Sequence, residues 1–400
     1  MNARPNFIDM PVPDARAETQ ARARQLQLTK PPGSLGRLEE LACWFAARSG
    51  NPIPEVSHCE IFVFAADHGV AAQGVSAFPP SVTGQMVANF AGGGAAINVL
   101  AMLEECPIEV VDVGVASDEE PPRSVRREKV RAGTRDLLVE AAMTDEELTA
   151  ALDVGARCAG EAIQRGAQLL IAGDMGIANT TAAACLICAF TDTLPEQVVG
   201  RGTGVDDAGL ARKREVVTAA LARARKAIGL PESVAAAAGK AIGTPELAAA
   251  SARKVIGTPE SAAANAGKAV AAPDSAAAAA RKMFAQVGGL EIAAMAGFYI
   301  EAARSRVPVV LDGYISGAAA LAAVQLEPGA VQWMLASHRS AEGGHGYALQ
   351  ALGLNPLVDL GMRLGEGSGA ALTLPIIRAA LALHRNMATF ASAGVDGKSP

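Results

Sequence analysis

Four short apolar runs, each closed by a glycine-bearing turn and followed by a helical pattern, constrain this chain more than any other feature. They are "CEIFVFAADHG" at 59–69, "IEVVDVGV" at 108–115, "AQLLIAGDMG" at 167–176 and "VPVVLDGYISG" at 307–317. Strands without polar alternation are covered on both faces, as in a parallel sheet. The helical stretches between them supply the crossovers that parallel strands need, so the class is α/β with right-handed connections. Three of the four turns place an aspartate just past the strand: Asp67, Asp174 and Asp312. Ligands of such sheets bind outside the carboxyl ends of the strands, so these turns outline one cleft.

Half the residues are hydrophobic, but alanine dominates that half and aromatics make up only 4%. Alanine and glycine suit helices packed closely on a sheet. The 400 residues suffice for one large domain and a smaller lobe. A net charge of −6 gives no basic footprint, so nucleic acid is not an expected partner. The first thirty residues hold no signal-peptide apolar region, and no uncharged apolar run is expected to reach about 18 residues, so no membrane span is expected. The expectation is a soluble, cytoplasmic protein. Six scattered cysteines (43, 59, 106, 158, 185 and 188) read as reduced, buried thiols. Asp67 and His68 with His338 or His345 would be the candidates for a metal, but no local pair has ligand spacing, so no metal or cofactor is expected.

Residues 227–282 parse into four tandem fourteen-residue units: "AIGLPESVAAAAGK", "AIGTPELAAASARK", "VIGTPESAAANAGK" and "AVAAPDSAAAAARK". In the middle units Gly ends one helix, Thr caps the next, and Pro and Glu open its first turn. Each unit reads as a short helix and a turn. The other reading is a poorly packed linker, because the faces offer little beyond alanine.

Two glycine-rich stretches are candidates for anion binding. In "GDMGIANTTAAA" (173–184) a strand end passes through glycines into a helix led by Asn179, Thr180 and Thr181. Free backbone N–H groups at a positive helix end favour an anion there, though an ordinary capped turn fits equally. "VGRGTGVDDAGLARKREVV" (198–217) adds Gly202, Thr203, Gly204 and Lys213. Two such cradles suggest a phosphorylated substrate; a loop with ordinary surface charges is the alternative. Between 65 and 101 a helix starts near Ser81, with Thr83, Gln85, Met86 and Phe90 available to line a flat apolar pocket. "SHRSAEGGHG" (337–346) is placed at the cleft or at an interface. In "LGEGSGAAL" (364–372) Glu366 stands between glycines. It reads either as a first-turn helix residue or, if partly desolvated, as a base working near neutral pH.

These stretches occur in a fixed order with "KPPGSLGRLEELA" (30–42), "GGLEIAAMAG" (288–297) and "VVLDGYISGAAAL" (309–321). Together they closely resemble the nicotinate-nucleotide–dimethylbenzimidazole phosphoribosyltransferase family of cobalamin nucleotide-loop assembly, over nearly all the chain except the repeats. The resemblance implies a homodimer of Rossmann-like subunits. Each would have an α/β domain (51–334) and a small helical domain built from both chain ends (1–50 with 335–400), and the repeats would be a helical insertion. It implies transfer of phosphoribose from nicotinate mononucleotide to 5,6-dimethylbenzimidazole or a related base, without metal, and Glu366 matches the general base. Asp174, Gly176, Asn179, Thr180, Gly202, Thr203, Gly204, Lys213 and Ser316 match phosphate and ribose contacts. Phe78, Ser81, Gln85 and Met86 match the base pocket. Two positions depart from the pattern: Asp174 stands where the family usually has Glu, and Ala178 where Gly is usual. The alternatives from other classes are a nicotinamide-dependent oxidoreductase, which would need a first-strand glycine fingerprint absent here, and a non-catalytic nucleotide-binding scaffold.

Overall fold

The computed structural model describes residues 10–117, 119–230 and 273–396. The repeat units at 231–272 lie outside the described residues; the last unit enters as the start of the helix Pro273–Val287.

Six parallel strands form one sheet: β1 (Cys59–Ala66), β2 (Ile108–Gly114), β3 (Arg126–Arg127), β4 (Leu169–Met175), β5 (Val309–Leu311) and β6 (Met334–Ala336). Their order is β3-β2-β1-β4-β5-β6, the doubly wound Rossmann arrangement. The four apolar runs supply β1, β2, β4 and β5. Every residue of β1 is buried, as a strand covered on both faces requires. β3 and β6 have two and three residues, too few to carry a periodic signal. In β3, Arg126 is held by Glu109, Glu128 and Glu161. β6 carries the sheet across position 335, where the small domain was expected to resume.

Helices cover both faces. A close crossing joins Asp145–Gln164 to Leu290–Arg304. A Cβ on Gly155 would lie 1.7 Å from the Ala294 carbonyl oxygen, and one on Gly297 would lie 2.0 Å from that of Leu152. Alanine usually improves a helix by up to about 1 kcal/mol over glycine. Here Gly155→Ala is expected to destabilise by roughly 1–3 kcal/mol, the usual cost of overpacking. Thermal melting checks this, and a raised Tm would contradict it.

The chain ends meet. Helices Ala15–Gln25 and Arg37–Ser49 pack with one another, and Arg37–Ser49 also packs with Leu374–Asn386. Arg24 donates to the His384 carbonyl at 2.9 Å, and Leu28 bridges to Thr389.

One expectation needs correction. Ser81–Leu103 is an uncharged stretch of 23 residues with an 18-residue window of mean hydropathy 1.5, long and apolar enough to cross a membrane. The chain folds it into two helices, Ser81–Ala91 and Ala96–Leu103, broken at Gly92 to Ala95. Each is shorter than the roughly 20 residues a span needs. Val87, Phe90, Ile97 and Ala101 are buried in the core that covers one sheet face.

All six cysteines are free and buried.

Candidate functional site

Strand order reverses between β1 and β4, and a cleft of about 610 Å³ opens at the carboxyl ends of the strands around that point. Segments following β1, β4, β5 and β6 all reach it. Phe78, Val82 and Met86 form one wall, Asp174 to Ile177 the floor, and Gly313 to Ile315 with His338, Ser340 and Glu342 the far side. Glu366, Arg363, Leu364 and Gly365 come from the C-terminal loop. This is the position a doubly wound sheet reserves for ligands.

The two glycine stretches converge. Asn179 and Thr180, at the start of the helix Asn179–Thr191, share the cleft with Gly202 and Thr203. Lys213 lies in the helix Asp207–Ala227, 1% exposed, and its Nζ donates to Thr180 Oγ1 at 2.6 Å. That ammonium would be 3.0 Å from a Cβ on Gly202, whose φ is +53°. Glycine at 202 therefore meets both a backbone demand and a space demand. Burial pushes Lys213 down to about 8, opposed by the Glu342 carboxylate. Backbone amides, a hydroxyl and one cation thus surround a small volume, as anion binding requires.

Asp174 is the penultimate residue of the floor strand β4. Its Oδ2 accepts from Asn179 Nδ2 at 2.8 Å, so the short carboxylate is spent on orienting the cradle. Burial, with the neighbouring Asp312 and Glu291 carboxylates, holds it well above the usual carboxylate range. Ala178 sits at φ +74°, a left-handed conformation that costs a side chain roughly 1–2 kcal/mol. Its departure from glycine is therefore felt as backbone strain.

Glu366 is 6% exposed and lines the cleft. Its Oε2 is buried with no hydrogen-bond partner among the described residues. Burial pushes its carboxyl up to about 7; the Ile97 backbone N–H opposes this and the Asp312 charge adds to it. A carboxylate with that affinity accepts a proton at neutral pH far better than an ordinary glutamate.

The structure brings Phe78, Met86, Asp174, Gly176, Asn179, Thr180, Gly202, Thr203 and Glu366 to one cleft. Lys213 stands directly behind it. Besides Lys213, four expected residues do not line it. Ser81 and Gln85 are exposed; the helix turns Val82 and Met86, four residues apart, toward the cleft instead. Gly204 lies past the tip of its loop with open space around it. Ser316 is fully buried, bonded to Tyr299 and to the Asp312 N–H. The sequence reading missed Val82, Tyr314 and Arg363. Arg363 donates to the Gly202 carbonyl at 2.9 Å, tying the Glu366 loop to the anion cradle. Its only sequence signal is its place three residues before Glu366.

A family model described as Phosphoribosyltransferase matches residues 10–265 and 256–395. A nicotinate-nucleotide–dimethylbenzimidazole phosphoribosyltransferase of Chromobacterium violaceum is 52% identical over 386 residues, covering 96% of this chain and 98% of the relative. The enzyme of the same name from a Bradyrhizobium species is 46% identical, covering 98% of this chain and 97% of its own. The crystal structure of CobT from Thermus thermophilus superposes with a TM-score of 0.79 at 43% identity, over 95% of this chain and 99% of that one.

Proposed function

This chain belongs to the nicotinate-nucleotide–dimethylbenzimidazole phosphoribosyltransferase family, and from that premise we propose that its cleft moves phosphoribose from nicotinate mononucleotide to a benzimidazole, with Glu366 as general base. The observation that carries the reading is one cleft holding both an anion cradle and a buried carboxylate with a near-neutral pKa, beside the wall of Phe78, Val82 and Met86. Gly176, Asn179, Thr180, Gly202, Thr203 and Lys213 take the phosphate and ribose. The flat acceptor lies against the apolar wall.

One ring nitrogen of the acceptor attacks the anomeric carbon from the face opposite the pyridinium. The carbon–nitrogen bond to nicotinate breaks, and its electron pair returns to the pyridine nitrogen, which leaves neutral and needs no acid. The proton on the acceptor's other ring nitrogen passes to Glu366. The product is α-ribazole 5′-phosphate, inverted at the anomeric carbon. Holding both reactants in line supplies up to about 7–11 kcal/mol in well-oriented systems. The base adds a factor of about 10²–10⁴.

The enzyme works as a homodimer in the cytoplasm in this reading. Val99, Met102 and Leu103, 49, 73 and 68% exposed on one helix, offer an apolar face suited to a second copy.

Incubation with nicotinate mononucleotide and 5,6-dimethylbenzimidazole is expected to yield nicotinate and the α-riboside phosphate by mass. Its kcat should fall as the pH drops below about 7, where Glu366 becomes protonated. Absence of product, or a rate flat from about pH 5 to 8, would overturn the reaction or the base respectively.

A further inference from the structure

Three consecutive residues, Gly365, Glu366 and Gly367, have positive φ, at 90°, 66° and 87°. For the glutamate this conformation is strained and persists only where the surroundings over-determine it. Two contacts do so. On one side Asp312, 1% exposed just past β5, accepts the Gly367 N–H on Oδ2 at 3.1 Å. The same carboxylate accepts Gly369 and Ala370 on Oδ1 at 2.7 and 3.0 Å. On the other side lies Gly173 of β4, where a Cβ would stand 2.2 Å from the carbonyl carbon and oxygen of Glu366 and 2.4 Å from Gly367 N. Asp312 is itself held, its N–H donating to Ser316 Oγ at 2.9 Å and that hydroxyl pairing with Tyr299 at 2.7 Å.

We propose that Asp312 and Gly173 are positioning residues for the transfer reaction: they grip the Glu366–Gly367 peptide between two core strands and thereby aim the Glu366 carboxylate into the cleft. This rests on Glu366 being the base. Neither residue needs to touch substrate. The base is carried by a loop, but the peptide that bears it is fastened to β4 and β5, which gives it the precision of a strand-mounted group. The charged or polar groups facing Glu366 are Asp174 from β4, Asp312 from β5 and the Ile97 N–H at the start of Ala96–Leu103. His338, after β6, has Nδ1 4.0 Å from Asp312 Oδ1, and Arg363 on the same loop is engaged by Gly202.

Asp312→Asn tests the grip. The amide oxygen can still serve Gly369 and Ala370, but its NH₂ then meets the Gly367 N–H, donor against donor. A displacement near 1 Å at a catalytic group can cost about 10²-fold, so kcat is expected to fall about 10–100-fold with KM for nicotinate mononucleotide within about twofold. The acid limb of the kcat profile should move to lower pH, because a negative charge beside Glu366 is removed. Gly173→Ala, which removes no charge, should lower kcat in the same way by pushing the same peptide. In a Glu366→Gln background neither change should cost more than about a further twofold, since groups acting through one residue are not additive. Should Asp312→Asn fail to fold, Ser316→Ala, which releases the Asp312 backbone N–H together with the Tyr299 hydroxyl, should lower kcat several-fold at constant KM. Wild-type kcat and acid limb in Asp312→Asn, wild-type kcat in that substitute, or a full multiplicative loss in the Glu366→Gln background, would overturn the grip. A wild-type rate in Glu366→Gln alone would instead overturn the base assignment.

Discussion

Glu366→Gln is expected to lower kcat by about 10²–10⁴-fold, the usual contribution of a general base. KM for both substrates should stay within about twofold, because the amide preserves shape and removes an interaction made only in the transition state. The variant also carries a stability signature with a definite sign. In the folded protein the carboxyl lies at about 7, above its ordinary 4.5. Burial therefore favours the protonated form. The native state is fully stable with respect to this group below the ordinary range and loses stability as pH rises through about 7. Glutamine does not ionise, so the variant should melt above the wild type at about pH 8, with the difference vanishing near pH 4. Steady-state kinetics and melting curves at the two pH values check both statements. A pH-independent difference in Tm would mean that the carboxylate is not desolvated as described.

The second large effect is expected at Lys213. Lys213→Met should raise KM for nicotinate mononucleotide about 10–100-fold, the loss of one charge-assisted hydrogen bond of roughly 1.5–3 kcal/mol. The same change should leave the dephosphorylated riboside, which has no phosphate to lose, nearly unaffected. The apoprotein should respond in the opposite direction. Burial holds the ammonium down to about 8 from 10.5, so at neutral pH a charged Lys213 costs stability, and that cost is relieved as pH rises from about 8 toward 10.5. Methionine removes the charge while keeping most of the chain, and the variant should melt higher than the wild type at about pH 7. Equal losses for the nucleotide and the riboside would show that Lys213 supports the fold of the cradle and does not bind phosphate.

What the sequence made legible follows from where the physical signal is local. A strand buried on both faces needs an unbroken apolar run, so β1, β2, β4 and β5 could be read directly. The Asp174 to Thr180 turn was visible for the same reason, since the glycine-bearing turn that ends a strand and begins a helix lies adjacent in the chain. Glu366 was different. Alone it reads better as a first-turn helix residue, and only the resemblance singles it out. Its near-neutral carboxyl comes from burial, which the Ile97 N–H of the Ala96–Leu103 helix opposes and the Asp312 charge reinforces, both distant in sequence. The phase of Ser81–Ala91 was not legible either. Whether Ser81 and Gln85 or Val82 and Met86 meet the cleft depends on a rotation of about 100° per residue about the helix axis, which is set by Val87 and Phe90 burying against the sheet. Ser316 carries a polar side chain in the first turn of the helix Tyr314–Leu326 that follows β5, which suggests a ligand contact. The structure shows that hydroxyl spent on Tyr299 and the Asp312 backbone.

The helix Asp207–Ala227 places Lys213 near one end of its length. From Lys213 to Ala227 is about fourteen residues, a rise of about 21 Å at roughly 1.5 Å per residue. The duplicated units begin at that far end. Copying them lengthens the chain at a point separated from the reacting atoms by a rigid rod, in the crossover between β4 and β5. Copy number is therefore expected to change without altering turnover, which the kinetics of a chain lacking 227–268 would check.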